Sequence, residues 1–365
     1  MNRSMRRVAA VLLSMALLGM LAASAEAAPA YKFERIVDSS QGLNPDGCPA
    51  INNDGEVAFK AVNDLFVGTI FRATGQALTP IADSATELGF LGRNPSINDL
   101  GQVSFAARLD DGSEAILVGS GGPLTTIART EPGDFNFFVF DTSLNDAGQV
   151  AFSAELDPQL NFDEGLFVGS GGPVSTVYLA STSDFSGSLG LPSINDAGEI
   201  AFEERLDNGT DGIFLFTGGR FLTIVDDRGR VDSARDPQLN NGGLVVFNAA
   251  LDNGERGVFT QGRRGPLITV ADSSGPFSFF GTFGPSINDI GQVAFGASLD
   301  TGESGIFTGP DPVADRVITT GDRLAGSRVI NVTICSEGLN DASQIAFVAQ
   351  LEDGRRGIFL ATPRS

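Results

Sequence analysis

The sequence predicts an all-β protein, a seven-bladed β-propeller of four-stranded blades whose ring is closed by pairing N- and C-terminal segments. Three observations predict it. A pattern Ile/Leu-Asn-x-x-Gly-x-Val-Ala-Phe, with small variations, occurs seven times; its asparagines are Asn52, Asn98, Asn145, Asn195, Asn240, Asn288 and Asn340, spaced 46, 47, 50, 45, 48 and 52 residues apart. A repeat of this length matches one propeller blade. The segments between motifs alternate with the two-residue period of strands and carry no helical period. The two chain ends, finally, make up one unit between them, as a ring without exposed sheet edges requires. A β-solenoid is the alternative, but it calls for polar capping units that neither end supplies.

Each unit reads as a series of turns and strands. Asn-Asp-x-Gly is a tight turn, because the Asn carboxamide can bond the backbone ahead of it and Gly accepts positive φ. The next stretch alternates, as in Val150, Phe152, Ala154 and Leu156, and equally in Val103/Phe105/Ala107/Leu109 and Val293/Phe295/Ala297/Leu299. Turns such as Leu206-Asp207-Asn208-Gly209 lead to a short Gly-Ile-Phe strand, for example Gly212-Ile213-Phe214. Ser170-Gly171-Gly172-Pro173 and its counterparts form the next hairpin, before a Thr/Val/Ile-rich third strand. A variable stretch with phenylalanines (Phe277, Phe279, Phe280, Phe283) is read as the fourth. After Phe359 the last unit stops without its third and fourth strands, and Phe33 to Asp38 matches the third strand elsewhere, with a fourth-strand stretch after it.

These residues resemble the bacterial tandem-repeat family described by the motif NxxGxxAF, found in exported proteins. The match extends over all seven units, with Ser104 and Val246 replacing the usual Ala and Ser343 replacing the usual Gly. The resemblance implies export and brings no activity with it. Many members of that family end in a Pro-Glu-Pro signal, an apolar span and a basic end. This chain ends Ala361-Thr362-Pro363-Arg364-Ser365, without such a span.

Residues 1–27 read as a signal peptide: Arg3, Arg6 and Arg7, an apolar run from Val8 to Leu21, then Ala25-Glu26-Ala27. Residues 28–365 are expected to form one propeller domain of seven repeats, secreted or periplasmic, with no membrane span after signal removal. Loss of the leader takes the formal charge from −21 to −23. So acidic a chain argues against nucleic acid or anionic membrane as partner. Arginines cluster late, at Arg228/Arg230/Arg235, Arg263/Arg264, Arg323/Arg328 and Arg355/Arg356, and read as solvated turn residues.

The chain has no histidine, which excludes Ser-His-Asp and Cys-His catalysis and His-ligated metals. Carboxylates remain. Asp157, Asp163 and Glu164, in the one expanded turn, are the candidates for a calcium site, read beside a plain solvated acidic turn. Glu204 replaces the apolar residue of its strand face and, with Glu203, is the candidate catalytic acid. The competing reading pairs Glu204 with Arg205, Arg228 or Arg256. The seven repeated asparagines are read as holding their own turns.

Cys48 lies four residues before Asn52 and Cys335 five before Asn340. In a closed ring those motifs sit on adjacent blades, so the two cysteines are expected to form a disulfide across the closure. The function expected is a monomeric, non-enzymatic binding or scaffold module presenting a rigid face to a protein or glycan. The alternatives are a carboxylate- or calcium-dependent hydrolase or lyase, and a structural matrix component.

Overall fold

The structure, a computed structural model, describes residues 31–130, 134–157, 163–187, 190–281 and 283–364. The signal-peptide reading of residues 1–27 lies outside them. Seven antiparallel sheets are arranged as the blades of a propeller, each with an inner, a second, a third and an outer strand. In the third blade these are Phe135–Phe138 with Ser143–Leu144, then Val150–Leu156, Glu164–Gly169 and Ser175–Leu179. The inner strand is broken in two: Phe135–Phe138 and Ser143–Leu144 both pair with the second strand, and the residues between them leave the ladder.

That break corrects one reading of the sequence. The variable phenylalanine stretch, fourth strand of its repeat in chain order, does not pair within the blade of that repeat; it opens the inner strand of the following blade, as Phe277–Phe280 does by pairing with Val293–Leu299. The ends are corrected likewise. Tyr31–Asp38 pairs with Arg356–Pro363 and becomes the outer strand of the seventh blade, while Leu43–Pro45 pairs with Val57–Asn63 and starts the first. Only one strand is donated across the closure. The buried Asp38 carboxylate secures it, paired with Arg35 at 3.1 Å and with Arg355 of the seventh blade at 3.2 Å.

The Val-Ala-Phe triplet explains itself in the packing. A strand alternates its side chains between two faces, and here both faces are covered by neighbouring blades. Val150, Phe152 and Ala154 pack toward the second blade, in a cluster with Ala106 and Ile116. Ala151, on the other face, joins Ile200 and Phe202 of the fourth blade. The same arrangement recurs around the ring to Ala346 against Val57 and Phe59. A large residue on one face and a small one on the other lets flat sheets close into a ring. Val246 fills the alanine place while fully buried, and Ser104 satisfies its hydroxyl against Thr142 Oγ1 at 2.8 Å.

The glycine of Gly-Ile-Phe is a matter of space. A Cβ on Gly257 would lie 2.3 Å from the Ala271 carbonyl oxygen of the bulged outer strand, and one on Gly165 2.4 Å from that of Tyr178. No other residue fits there.

Candidate functional site

The axial channel has two differently built ends. At one end lie the Asn-x-x-Gly turns. Each repeated asparagine holds its own turn, as Asn98 Oδ1 does by accepting from the Gln102 amide at 2.9 Å. Each also reaches the next blade. Asn52 Nδ2 donates to the Asn98 carbonyl, Asn98 to Asn145, and so on until Asn340 donates to Asn52 at 2.9 Å. Seven such bonds close a circle. The residue after each asparagine forms a second circle, its side-chain oxygen accepting the amide of the corresponding residue one blade earlier, from Asn53 with Asp99 to Asp341 with Asn53. The two circles of bonded side chains line a cavity of about 160 Å³ at this end. Ser343 keeps the left-handed turn at φ 59° where other units use glycine.

The breaks in the inner strands line the other end. They enclose a cavity of about 210 Å³, walled by Pro49, Pro95, Pro192, Pro237, Leu191 and Phe283 and by both cysteines. The prolines suit a stretch that has left the ladder, because they have no amide to satisfy. The Cys48–Cys335 disulfide, with Cα atoms 5.8 Å apart, forms part of the wall.

Three carboxyls face this cavity: Asp141, Asp236 and Glu337. Asp141 accepts from Asn94 Nδ2 at 2.7 Å, and burial raises its pKa above the ordinary carboxylate value. Asp236 has φ 56°, which turns it out of the strand, and burial raises it too. Glu337 separates the cavity from the channel beyond. At four blade junctions a serine hydroxyl of one inner strand accepts an amide of the next blade, as Ser96 does from Leu144 at 3.0 Å. The first blade has Ala50 instead, and the Glu337 carboxyl crosses from the seventh blade to the Ile97 amide and to the hydroxyls of Ser96 and Ser143. Burial pushes its pKa up to about 7, with the Asp141 charge adding to the effect.

A pH dependence follows. The folded carboxyl keeps its proton up to about pH 7, whereas an unfolded glutamate loses it near 4.5. The native state therefore binds more protons in that window. The contribution of Glu337 to stability is fullest below pH 4.5 and is lost as pH rises through about 7, by on the order of 3 kcal/mol. Urea unfolding at pH 4.5 and pH 8 should show a loss that is smaller by this amount in Glu337→Gln than in the wild type. Equal pH slopes for the two proteins would refute it.

The two candidate acids do not share a cleft. Successive residues of a strand face opposite ways, so Glu203 turns to the fifth blade and Glu204 to the third. Glu203 accepts the Asp236 amide at 3.4 Å, behind the cavity wall, and burial raises its pKa. Glu204 is 1% exposed; it accepts a hydrogen bond from the Tyr178 hydroxyl and the Arg205 amide at 2.8 Å. Of the arginines named from the sequence, Arg205 pairs with Asp211 at 2.7 Å and Arg228 with Asp226. Tyr178→Phe and Glu204→Ala are each expected to cost about 1–3 kcal/mol, and the double variant less than their sum. Strict additivity in a double-mutant cycle would show that the pair is not coupled.

Asp163 accepts from the Ser181 amide at 3.0 Å and from its hydroxyl, and Glu164 is raised by burial and by Glu155, Glu204 and Asp163. Asp157 donates its amide to the Asp134 carbonyl at 2.8 Å. Among the described residues, no three His, Cys, Asp or Glu side chains converge as a metal site.

Sequence reasoning missed Asp141, Asp236 and Glu337. Glu337 left a signal: it stands three residues before the repeated asparagine, where five units have proline and one has Thr142. Gly338 follows it where serine is usual.

Residues 17–353 match the sequence model of DUF7453, a family of unknown function. The chain belongs to that family. No curated protein matches it. Among solved structures it is similar to YCF48 from Cyanidioschyzon merolae, at 10% identity and a TM-score of 0.47, over 91% of this chain and 98% of that one. It is also similar to the Pyrococcus horikoshii acylaminoacyl peptidase, at 13% identity and a TM-score of 0.50, over 84% of this chain and 50% of the peptidase. At such identities the likeness concerns the fold alone. Among the described residues no helix is long and apolar enough to cross a membrane. The disulfide fits an extracellular or periplasmic protein.

Proposed function

We propose that this DUF7453 member is an exported, non-enzymatic binding module that receives a protein or glycan ligand at the proline-walled mouth of its axial channel. Residues 1–27 would direct export and be removed, leaving residues 28–365 as a monomeric propeller in the periplasm or outside the cell. The likeness of its repeats to those of NxxGxxAF proteins supports this placement. The acidic balance of the chain, with a net charge of −21, speaks against nucleic acid as the ligand.

One observation carries the reading. The cavity of about 160 Å³ at the opposite mouth is lined by asparagine and aspartate side chains already bonded to one another in two closed circles, whereas the cavity here, about 210 Å³, has apolar walls and few convergent polar groups. That combination describes a ligand site. Leu191, on the rim, is 39% exposed, so Leu191→Trp adds bulk at the mouth without disturbing the core. Peptide and glycan arrays probed with the wild type should give ligands whose binding is lost in Leu191→Trp. An absence of ligands on both arrays, or equal binding by the variant, would overturn the proposal.

A further inference from the structure

The axial cavity does not end at its own rim. A second cavity, about 260 Å³, lies between the sixth and seventh blades and shares Phe283 with the first. A third, about 200 Å³, lies between the fifth and sixth blades and shares Phe279 with the second. The two phenylalanines thus stand where neighbouring cavities meet, Phe279 49% and Phe283 52% exposed. Buried aromatic surface is the usual fate of phenylalanine in this chain; these two are held out by the broken inner strand, Phe279 opposite Ser298 in the ladder. The three cavities lie side by side from the axis outward, each sharing a phenylalanine with the next, and together they mark out a groove across three blades.

The groove is chemically polarised. Its axial end carries Asp141, Asp236 and Glu337, and among the described residues no Lys or Arg lines that cavity; Arg235, which lines the outer cavity, reaches Asp236 at 3.5 Å. Its outer end carries Arg235 and Arg256, together with Asp232. Phenylalanine lies between. A cation on an aliphatic stem matches the axial end, where the apolar wall takes the stem and the carboxyls take the charge. A carboxylate matches the arginines. Sugar platforms are built differently: the chain has no tryptophan, and both its tyrosines, Tyr31 and Tyr178, are buried away from the groove.

We propose that this groove binds an extended polypeptide segment. A Lys or Arg side chain enters the axial cavity, apolar side chains lie against Phe283 and Phe279, and an acidic side chain meets Arg235 and Arg256. The inference rests on the axial mouth being the ligand site and names the class of ligand that it takes.

The test uses the purified exported protein and a positional-scanning library of acetylated, amidated octapeptides, read by fluorescence anisotropy. Selected peptides should carry Lys or Arg at one fixed position and Asp or Glu at another, with apolar residues between. Asp236→Asn keeps the size of the side chain and a residue type that tolerates positive φ. It should weaken binding at least tenfold, and so should Phe283→Ala. Val313→Ala, at a residue 82% exposed in the turn between the third and outer strands of the sixth blade, should leave binding unchanged. Circular dichroism of each variant checks that it is folded. Peptides selected without a basic position, yet still lost in Leu191→Trp, would overturn the inference and leave the axial mouth as the site. Neutral oligosaccharides blocked by Leu191→Trp would overturn it in favour of a glycan ligand. Peptides that bind equally well to Asp236→Asn, Phe283→Ala and Leu191→Trp would overturn both readings.

Discussion

Deleting residues 31–38 is expected to abolish the soluble monomer. This segment is the outer strand of the seventh blade, paired over its length with Arg356–Pro363. Tyr31, Ile36 and Val37 are buried at 8%, 3% and 0% exposure, the latter two in the cluster that joins the seventh blade to the first. Removing three such side chains forfeits roughly 1.5–3 kcal/mol each, a sum close to the whole stability of an ordinary domain. The deletion also takes Asp38 from Arg355, leaving that arginine only Asp353 as an ion-pair partner among the described residues, and leaves an eight-residue strand edge open to pairing with another chain. Size-exclusion chromatography should show aggregate or no soluble product. A monomer with the melting temperature of the wild type would show that the ring does not depend on the donated strand.

Replacing Cys48 and Cys335 together by alanine is expected to cost about 3–5 kcal/mol. The bond spans a sequence separation of 287 residues, so the unfolded chain loses much of its freedom when it is present. The chain-entropy argument gives about 5 kcal/mol for loops of this order, and measured values run lower. Both sulfurs are buried, which makes alanine a mild replacement in the packing. Guanidinium unfolding of the oxidised wild type and the double variant measures the difference. A loss below about 1 kcal/mol would mean that the native ring gains nothing from the cross-link. Because the same bond walls the axial cavity, the variant should also bind peptide more weakly than the wild type.

Much of this architecture was legible before any coordinate. The spacing of Asn52 to Asn340 gave seven blades, and the match of residues 33–38 to the third strand of other units gave the closure. Those features are local in their physics: a turn needs an Asn and a Gly at fixed positions, and a strand alternates with period two. The disulfide was legible for a related reason. Once two repeats are known to be neighbours, equivalent positions in them are neighbours too.

The errors came where the sequence is least repetitive. The phenylalanine stretch reads as the fourth strand of its unit but does not announce which of two adjacent sheets it joins; the pairing of Phe277–Phe280 with Val293–Leu299 decides that. Glu203 and Glu204 drew attention as a pair, yet adjacent residues in a strand are parted by the sheet itself. Glu204 accepts from the Tyr178 hydroxyl, 26 residues away in sequence and on the preceding blade.

What the sequence determined by itself, then, was the repeat, its strands and turns, the number of blades and the way the ring is shut. These follow from interactions within one unit, copied seven times. Tertiary structure alone decided that the asparagines link blade to blade as well as holding turns, since the carbonyl that each one reaches lies in the next unit. It alone also brought Asp141, Asp236 and Glu337 to one cavity, from the third, fifth and seventh blades. A site on the axis of a ring is assembled from residues that share no local sequence, and their convergence exists only when the circle is closed.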